Sequence, residues 1–400
     1  MTMMAIYAER ALTPIEEIRD AAILVDGARI AAVGRRGEIA VPRGAVEFRA
    51  RAGSTLIPGF VDVHIHGAGG HDVMEGTDEA FDAVTATVAR FGTTSIVATT
   101  VTASPEETCR SVAAIARAAK RGAEASGSGS GGARAEILGV HFEGPFISAA
   151  RRGVHPAEWI AAPSVALLDR FLDAAGDAAR ILTLAPELPG ALELVREARR
   201  RGLVAAMGHT DASYAEAEAA IAAGVRHAAH VFNAMRPFSH RETGVLGAVL
   251  TSREVTAELI ADGVHVDDAA IRLLLAAKGI ERTVLVSDGT AATGMPDGRY
   301  RLGSFEVNVT GGVCRNAEGK LAGSTLTLDR AVRHLAGLGV GLSDAVRMAT
   351  LNPARVLGIE ARKGILAAGA DADLVLLDEL FQVAGVMTRG AGWPATSSRD

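Results

Sequence analysis

The sequence contains 400 residues, of which 48% are hydrophobic and 22% are charged, and its formal net charge is -6. This length exceeds the usual size of one domain, so we expect a large domain with a smaller partner, or two comparable domains. The net negative charge indicates no nucleic-acid surface, the two cysteines are too few for a disulfide framework, and no charge-free run reaches the length of a membrane span. We therefore expect a soluble, cytoplasmic protein with neither nucleic acid nor a membrane as partner.

Short β-type runs occupy the first part of the chain. The run "AAILV", the dipeptide Asp26-Gly27 and the run "ARIAAVG" together are typical of a β-hairpin. Similar runs return near the other end, at residues 364–378 and 381–390. An isolated hairpin is only marginally stable in water. We therefore expect residues 1–57 and 356–400 to pair into one small, discontinuous β-sandwich domain.

Between the two ends, short apolar runs alternate with helical segments. The eight runs are "GFVDVHIHG", "TTSIVATTV", "AEILGVHFEG", "ARILTLAPE", "LVAAMGHT", "RHAAHVFNAM", "TAELIADGVHV" and "RTVLVSDGT", and the helical segments include 77–91, 105–120, 190–202 and 267–279. Eight such units predict an α/β fold in which residues 58–355 form a TIM-like (β/α)8 barrel, with an open doubly wound sheet as the alternative. The Gly/Ser-rich stretch 125–133 is typical of a flexible surface loop.

Histidine and carboxylate side chains follow most of the predicted strands. In chain order they are His64 and His66, His141 and Glu143, His209, His230, Asp262 and His265, and Asp288. A barrel gathers the carboxyl ends of its strands around one mouth, where barrel enzymes build their active sites. Each residue alone is more typical of a structural role, but their convergence indicates a metal site of the kind that zinc and its neighbours prefer.

Spacing indicates which of these residues are ligands. His141 and Glu143 are two residues apart and share one face of their strand, but Glu143 is closer to the mouth. We therefore expect Glu143 to bind metal and His141 to lie behind the ligands or in the barrel interior. His209 and His230 come from two further strands, so the ligand set would spread over the rim and leave a position for water.

Seven motifs carry a resemblance to a known family. They are "PGFVDVHIHG", "HFEGPFIS", "MGHTDASY", "HVFNAMRPFSHRETG", "DGVHVD", "VSDGT" and "ATLNPARVLGI" with "KGILAAGADADLVLLD". In this order they resemble the amidohydrolase superfamily and, within it, the family of N-acetylglucosamine-6-phosphate deacetylases. The resemblance implies a metal-dependent hydrolase that removes the acetyl group from an amino-sugar phosphate in amino-sugar metabolism.

The resemblance also implies a metal-ligand set. Glu143, His209 and His230 would bind the principal divalent metal. His64 and His66, with Glu143 shared and Asp288 adjacent, would form a second site. The resemblance thus implies one or two metals per chain, Zn²⁺ in the first place and Fe²⁺, Mn²⁺ or Co²⁺ as alternatives.

Roles in catalysis and substrate binding follow from the same resemblance. Asp288 would transfer the proton, and His155 would stabilise the oxyanion or a sugar hydroxyl. The residues implied to contact the substrate are His265, Leu321 and Gly323 at the sugar, and Asn233, Ala234 and Arg241 at the phosphate. In the family that arginine serves the neighbouring subunit, which implies a homodimer.

Two further hypotheses remain at this stage. A related amidohydrolase could act on N-acetylgalactosamine 6-phosphate, or on an N-acyl amino acid or ureide, and a substrate without phosphate would not require Arg241. A catalytically silent metal-binding homologue would be expected to lack Asp288 or a ligand, and the sequence lacks neither.

Overall fold

The structure, a computed structural model, describes residues 3–124 and 132–392. Most of the predicted loop at 125–133 and the last eight residues of the predicted small domain, 393–400, lie outside the described residues. Among the helices of the described part, none combines the length and the apolar character needed to cross a bilayer.

The chain starts with five strands of the small domain. They are β1 (Met4–Leu12), β2 (Glu17–Asp26), β3 (Arg29–Arg35), β4 (Val46–Arg49) and β5 (Thr55–Pro58). The predicted hairpin joins β2 to β3, and Gly27 in its turn has a φ of 57°. Glycine suits this position because it has no Cβ to oppose a positive φ.

The central part alternates strands and helices. In chain order the elements are β6 (Phe60–Ile65), β7 (Gly67–Ala68), β8 (His71–Asp72), α1 (Asp78–Arg90), β9 (Thr93–Thr100), α2 (Pro105–Glu124), β10 (Glu136–Glu143), α3 (Val165–Ala175), β11 (Ala179–Leu184), α4 (Ala191–Arg200), β12 (Val204–Met207), α5 (Tyr214–Ala223), β13 (His227–Ala228), α6 (Gly244–Thr251), β14 (Thr256–Leu259), α7 (Asp268–Lys278) and β15 (Thr283–Leu285). The short strands β7 and β8 pair only with each other among the described residues.

Eight of these strands form one parallel sheet in the order β6-β9-β10-β11-β12-β13-β14-β15. The sheet closes where β6 meets the segment after β15. There the Asp288 amide donates to the His64 carbonyl (2.9 Å), and the His66 amide donates to the Gly289 carbonyl (2.8 Å). These bonds confirm the predicted barrel and exclude the open doubly wound sheet.

After the barrel strands the chain adds a small antiparallel sheet that the sequence analysis did not predict. Its strands are β16 (Gly298–Leu302), β17 (Phe305–Thr310) and β18 (Val313–Arg315), and they are followed by α8 (Leu328–Gly337), α9 (Leu342–Ala349), α10 (Leu351–Val356), β19 (Leu374–Leu377) and β20 (Val383–Met387). Leu302, Val307 and Val309 of this sheet pack against Val101, which follows β9. The sheet therefore covers part of the barrel mouth.

The two ends of the chain share one sheet, as predicted. Its order is β20-β19-β5-β1-β2-β3, and β4 pairs with the first half of β1. The strand β5 pairs with β1 on one side and with β19 on the other, with Pro58 opposite Leu374. The separate sheet domain is thus confirmed, while its limits at residues 57 and 356 stay a prediction.

A buried ion cluster connects the small domain to the bottom of the barrel. The ammonium group of Lys363 lies 2.6 Å from Glu136, 2.9 Å from Asp371 and 2.7 Å from Asp373. Arg362 also contacts Glu136, at 3.1 Å. Burial would raise the pKa of Glu136, but the cations of Lys363 and Arg362 outweigh it and lower that pKa. Arg29 adds a third cation, 2.7 Å from Asp371, so three cations of the chain balance the three carboxylates.

Candidate active site and metal centre

A cavity of about 180 Å³ opens at the barrel mouth, above the carboxyl ends of the strands. The predicted site residues that line it are His66, Glu143, His155, His209, His230, Asn233, Ala234, His265, Asp288, Leu321 and Gly323. Val101 and Leu302 add an apolar wall, the second of them from the small antiparallel sheet. Of the predicted set, His64 lies directly behind the cavity and Arg241 lies outside its lining.

The carboxylate of Glu143, the last residue of β10, lies at the centre of this site and is buried. Its Oε1 lies 3.2 Å from His64 Nε2, 3.1 Å from His209 Nε2 and 2.9 Å from His230 Nε2. Its Oε2 lies 3.4 Å from His66 Nε2 and 3.2 Å from His155 Nε2. Five imidazole rings from different parts of the barrel therefore meet at one carboxylate.

Hydrogen bonds on the far side of three rings determine what these rings present to the carboxylate. The Nδ1–H of His64 donates to Glu258 (2.8 Å), that of His66 to the Thr99 carbonyl (3.0 Å), and that of His209 to the Arg151 carbonyl (2.9 Å). In the neutral ring, Nε2 then carries a lone pair. These lone pairs point at carboxylate oxygens, and His209 Nε2 lies 3.1 Å from His230 Nε2. Nitrogen lone pairs and carboxylate oxygens are all hydrogen-bond acceptors and repel one another. This arrangement therefore requires a cation between them.

Protons supply that positive charge when no metal does. Burial lowers the pKa of His66, but Asp288 and Glu143 outweigh it and raise this pKa to about 10. The pKa of His64 is raised well above its ordinary value, because Glu258 and Glu143 outweigh the effect of burial. Burial dominates at His209 and lowers its pKa to about 4. Neutral imidazole and carboxylate donors are typical ligands of zinc and related divalent metals, so these residues fit such a metal.

His155 differs from His64, His66 and His209 in its tautomer. Its Nδ1 accepts from the backbone N–H of Thr102 (3.2 Å) and contacts the hydroxyl of the same residue (2.8 Å). The proton of the neutral ring therefore lies on Nε2, which points at Glu143 Oε2. His155 is arranged as a hydrogen-bond donor into the cavity and not as a ligand.

Asp288 is held by backbone bonds on both sides. Its amide donates to the His64 carbonyl, and its own carbonyl accepts from the Ser324 amide at 2.7 Å. Its φ of 50° lies in the left-handed region, which is strained for a non-glycine residue and recurs at functional sites. The side-chain Oδ1 lies 3.2 Å from His66 Nε2. Burial raises the pKa of Asp288, but the His66 and His64 rings outweigh it and lower that pKa, which keeps the carboxylate charged.

The remaining predicted residues form the outer part of the cavity. The Nδ1 of His265 lies 2.7 Å from Asp262, so this carboxylate orients the ring. Asn233 and Ala234 follow His230 in the same loop, and Ala234 has a φ of 50°. Arg241 is exposed and is not among the described residues that line the cavity.

A model of the amidohydrolase family matches residues 55–391, which is most of the chain. The chain belongs to the amidohydrolase family. The fold described above is that of this metal-dependent family, and the His, Asp and Glu groups at the barrel mouth are able to bind a metal.

Similar proteins place this amidohydrolase more narrowly. It is 39% identical to the N-acetylglucosamine-6-phosphate deacetylase of Bacillus subtilis over 86% of both chains. It is also 39% identical to the N-acetylgalactosamine-6-phosphate deacetylase of Escherichia coli O157:H7, over 85% of this chain and 88% of that one. A Mycobacterium smegmatis N-acetyl-D-glucosamine-6-phosphate deacetylase, solved as a mutant with N-acetyl-D-glucosamine-6-phosphate, superposes with a TM-score of 0.90 at 40% identity and covers 98% of this chain and 99% of its own. The family resemblance seen in the sequence is confirmed.

Two buried carboxylates near the candidate site, Glu258 and Asp62, were not predicted from the sequence. Glu258 of β14 is fully buried and contacts His64, and Asp62 of β6 accepts from the backbone N–H groups of His64 and Ser287, both at 3.3 Å. Burial raises the pKa of Asp62 to about 7. The signal was present, because Asp62, His64 and His66 alternate along one strand and Glu258 is an acidic residue within an apolar run. His141, in contrast, lies in the barrel interior and contacts Thr183 (2.7 Å) and the Val63 carbonyl (3.1 Å).

Proposed function

We propose that this protein is a metal-dependent deacetylase that hydrolyses N-acetylglucosamine 6-phosphate to glucosamine 6-phosphate and acetate. The observation that carries the proposal is the convergence on Glu143 of imidazoles that have lone pairs directed inward, beside a charged Asp288 and a donor histidine. A relative at 39% identity and a solved structure at 40% identity have this activity in their names. The reaction fits amino-sugar metabolism.

The metal is held by side chains in two groups. Glu143, His209 and His230 bind the principal divalent ion, and His64 and His66 bind a second one with Glu143 shared. Zn²⁺ suits these donors best, with Fe²⁺, Mn²⁺ or Co²⁺ as alternatives. A metal bound here supplies a water of lowered pKa and polarises the acetyl carbonyl.

Asp288 transfers the proton in this proposal. An amide is difficult to hydrolyse because water is a weak nucleophile and an amine is a poor leaving group. Asp288 accepts the proton of the attacking water and delivers it to the departing sugar nitrogen. Its lowered pKa, caused by the adjacent histidines, supports the first half of this role because the carboxylate is available as a base at neutral pH.

His155 stabilises the negative charge that develops on the acetyl oxygen. Its Nε2–H points into the cavity and is fixed there by the Thr102 backbone N–H behind the ring. A donor held in place before the reaction stabilises the transition state without reorganising at that moment. His265, fixed by Asp262, and the backbone near Leu321 and Gly323 contact the sugar.

The phosphate is bound by backbone groups at Asn233 and Ala234 together with a guanidinium. A planar guanidinium matches phosphate oxygens in two parallel hydrogen bonds. Because Arg241 is exposed and is not among the described residues that line the cavity of its own chain, we infer that it serves the site of a second subunit in a homodimer.

The galactosamine epimer is the second candidate substrate. One relative at 39% identity is named for N-acetylgalactosamine 6-phosphate, at the same identity as the Bacillus subtilis protein named for the glucosamine compound. Overall identity therefore does not distinguish the two sugars.

Acetate release from three substrates tests the proposal. We expect the metal-loaded protein to prefer N-acetylglucosamine 6-phosphate over the unphosphorylated sugar by about tenfold or more in kcat/KM, since a charge-assisted hydrogen bond contributes about 1.5–3 kcal/mol. Faster turnover of the galactose epimer would favour the second candidate. Equal turnover with and without phosphate would contradict both.

A further inference from the structure

Glu258 lies underneath the metal centre and makes contacts that the proposed reaction does not use. It is completely buried on β14, in the interior of the barrel. Its Oε2 accepts from the His64 Nδ1–H (2.8 Å) and from the backbone N–H of His230 (2.9 Å), while its Oε1 lies 2.8 Å from His227 Nε2. One oxygen thus contacts a residue from each proposed metal site.

The contact with His64 determines what this ring offers to a metal. With Nδ1–H bonded to the carboxylate, Nε2 presents its lone pair towards Glu143 Oε1 (3.2 Å) and Asp288 Oδ1 (3.7 Å). This Nε2 is buried and has no hydrogen-bond partner among the described residues. A carboxylate behind a histidine fixes the tautomer and orientation of the ring and makes it a stronger ligand.

The other histidine ligands lack such a charge behind the ring. His66 and His209 donate from Nδ1 to the carbonyls of Thr99 and Arg151, which are neutral acceptors. His230 Nδ1 has no partner within the described residues, and Glu258 reaches His230 only through its backbone. The negative charge of Glu258 is therefore directed at the His64 side chain and not at the ligand side chains of the principal site.

We propose that Glu258 is a positioning residue whose charge controls whether the His64–His66 site holds a second divalent metal. This inference rests on the two metal sites of the proposed function. It predicts that removing the charge weakens the second site and leaves the principal site intact.

The substitution Glu258→Gln isolates the charge. The amide oxygen can still accept from His64 Nδ1 and the His230 amide, and the amide NH₂ can donate to a neutral His227 Nε2. His227 can then donate from Nδ1 to the Thr256 hydroxyl, which lies 2.7 Å away. The side-chain shape and the hydrogen bonds are kept, so a change in metal binding reports the lost charge.

The experiment counts bound metal without using catalysis. Chelator-treated wild type, Glu258→Gln and the matched control Glu136→Gln, which alters the buried glutamate at the other end of the barrel, are titrated with Co²⁺. Cobalt absorption follows the coordination of each site, and elemental analysis gives the stoichiometry. We expect two metals in the wild type and in Glu136→Gln, and a second metal that binds about 10- to 100-fold more weakly in Glu258→Gln.

Three results would overturn the proposal: a wild type that binds one metal, a Glu258→Gln variant with two wild-type affinities, or an equal weakening of both sites. Circular dichroism establishes that the variant is folded. If it is not folded, Glu258→Asp replaces it, because this change keeps the charge but withdraws it from His64, and a wild-type second affinity there would contradict the proposal. The metal count is independent of acetate release, so failure of the proposed activity would be recognised separately.

Discussion

The strand β10 has a buried glutamate at each end, and the two glutamates differ in the groups that balance their negative charge. Glu136, at the start, contacts the ammonium of Lys363 and the guanidinium of Arg362, which are permanent cations of the same chain. Glu143, at the end, faces five imidazoles whose protonation depends on their surroundings. The lower end is electrically complete, whereas the upper end needs a cation from outside.

This difference separates stability from chemistry along a single strand of eight residues. In a barrel the lower face serves stability and the upper face carries the active site. Breaking a buried ion pair is strongly destabilising because the remaining charge stays buried and unpaired. The cluster around Glu143 instead lacks a cation of its own chain, so its negative charge favours the binding of a metal.

The largest expected effect is at the upper end. Glu143→Gln removes the carboxylate shared by the proposed ligands, so metal analysis should show marked depletion and acetate release should fall by roughly a thousandfold or more, because activation of water at neutral pH depends on the metal. The matched change Glu136→Gln at the lower end should leave the metal content unchanged. Full metal content with normal turnover in Glu143→Gln would remove this role.

The next effect is at the lower end. Lys363→Met keeps most of the length of the side chain but removes the ammonium, so the carboxylates of Glu136, Asp371 and Asp373 lose their central cation. We expect the free energy of unfolding, measured by urea denaturation, to fall by about 3–5 kcal/mol. Turnover per folded, metal-loaded molecule should stay at the wild-type value. A loss below about 1 kcal/mol would mean that the remaining cations, Arg362 and Arg29, balance the cluster without Lys363.

The smallest effect concerns a charge that we infer comes from a second chain. Arg241→Ala removes a guanidinium that contributes about 1.5–3 kcal/mol to phosphate binding, so kcat/KM for the phosphorylated sugar should fall by about ten- to a hundredfold. Activity on the unphosphorylated sugar should barely change. An equal loss on both substrates would indicate damage to the site instead of lost phosphate recognition.

Mixing two inactive or weakened chains tests the subunit origin of this arginine. An Asp288→Asn chain and an Arg241→Ala chain should form hybrid dimers in which one site has both intact residues, so activity should return on mixing. If Arg241 serves its own chain, no hybrid site has both residues and mixing restores nothing.

The barrel and the joined chain ends were predictable because both rest on local patterns. Eight apolar runs separated by helical segments specify the barrel, and the closed barrel then brings the strand ends together, so most predicted site residues line one cavity. The small sheet β16–β18 was missed although Val307 and Val309 alternate with polar residues and Gly311-Gly312 marks a turn. It lies outside the repeated strand–helix order that the prediction followed.

Other features of the site could not be obtained from a linear pattern. The role of Glu258 depends on its contacts with His64 and His227, which lie on two other strands. The residues around Glu258 in the sequence do not indicate these partners. The tautomer of His155 depends on a backbone N–H of Thr102, which a sequence does not display. A cross-subunit contact of Arg241 requires the arrangement of a second chain.

The contacts that close the barrel, between β6 and the segment after β15, also affect how fast the protein folds. The backbone of His64 in the first barrel strand, and of His66 just after that strand, bonds to Asp288 and Gly289, which follow the last barrel strand. These contacts therefore join residues that are far apart in the chain. Contacts between distant residues slow folding, because the chain loses the conformational entropy of a long loop before the contact contributes any stabilisation. During synthesis, His64 and His66 leave the ribosome early, but their partners Asp288 and Gly289 follow only after most of the polypeptide has been made. The proposed metal centre is therefore among the last parts of the molecule that can assemble.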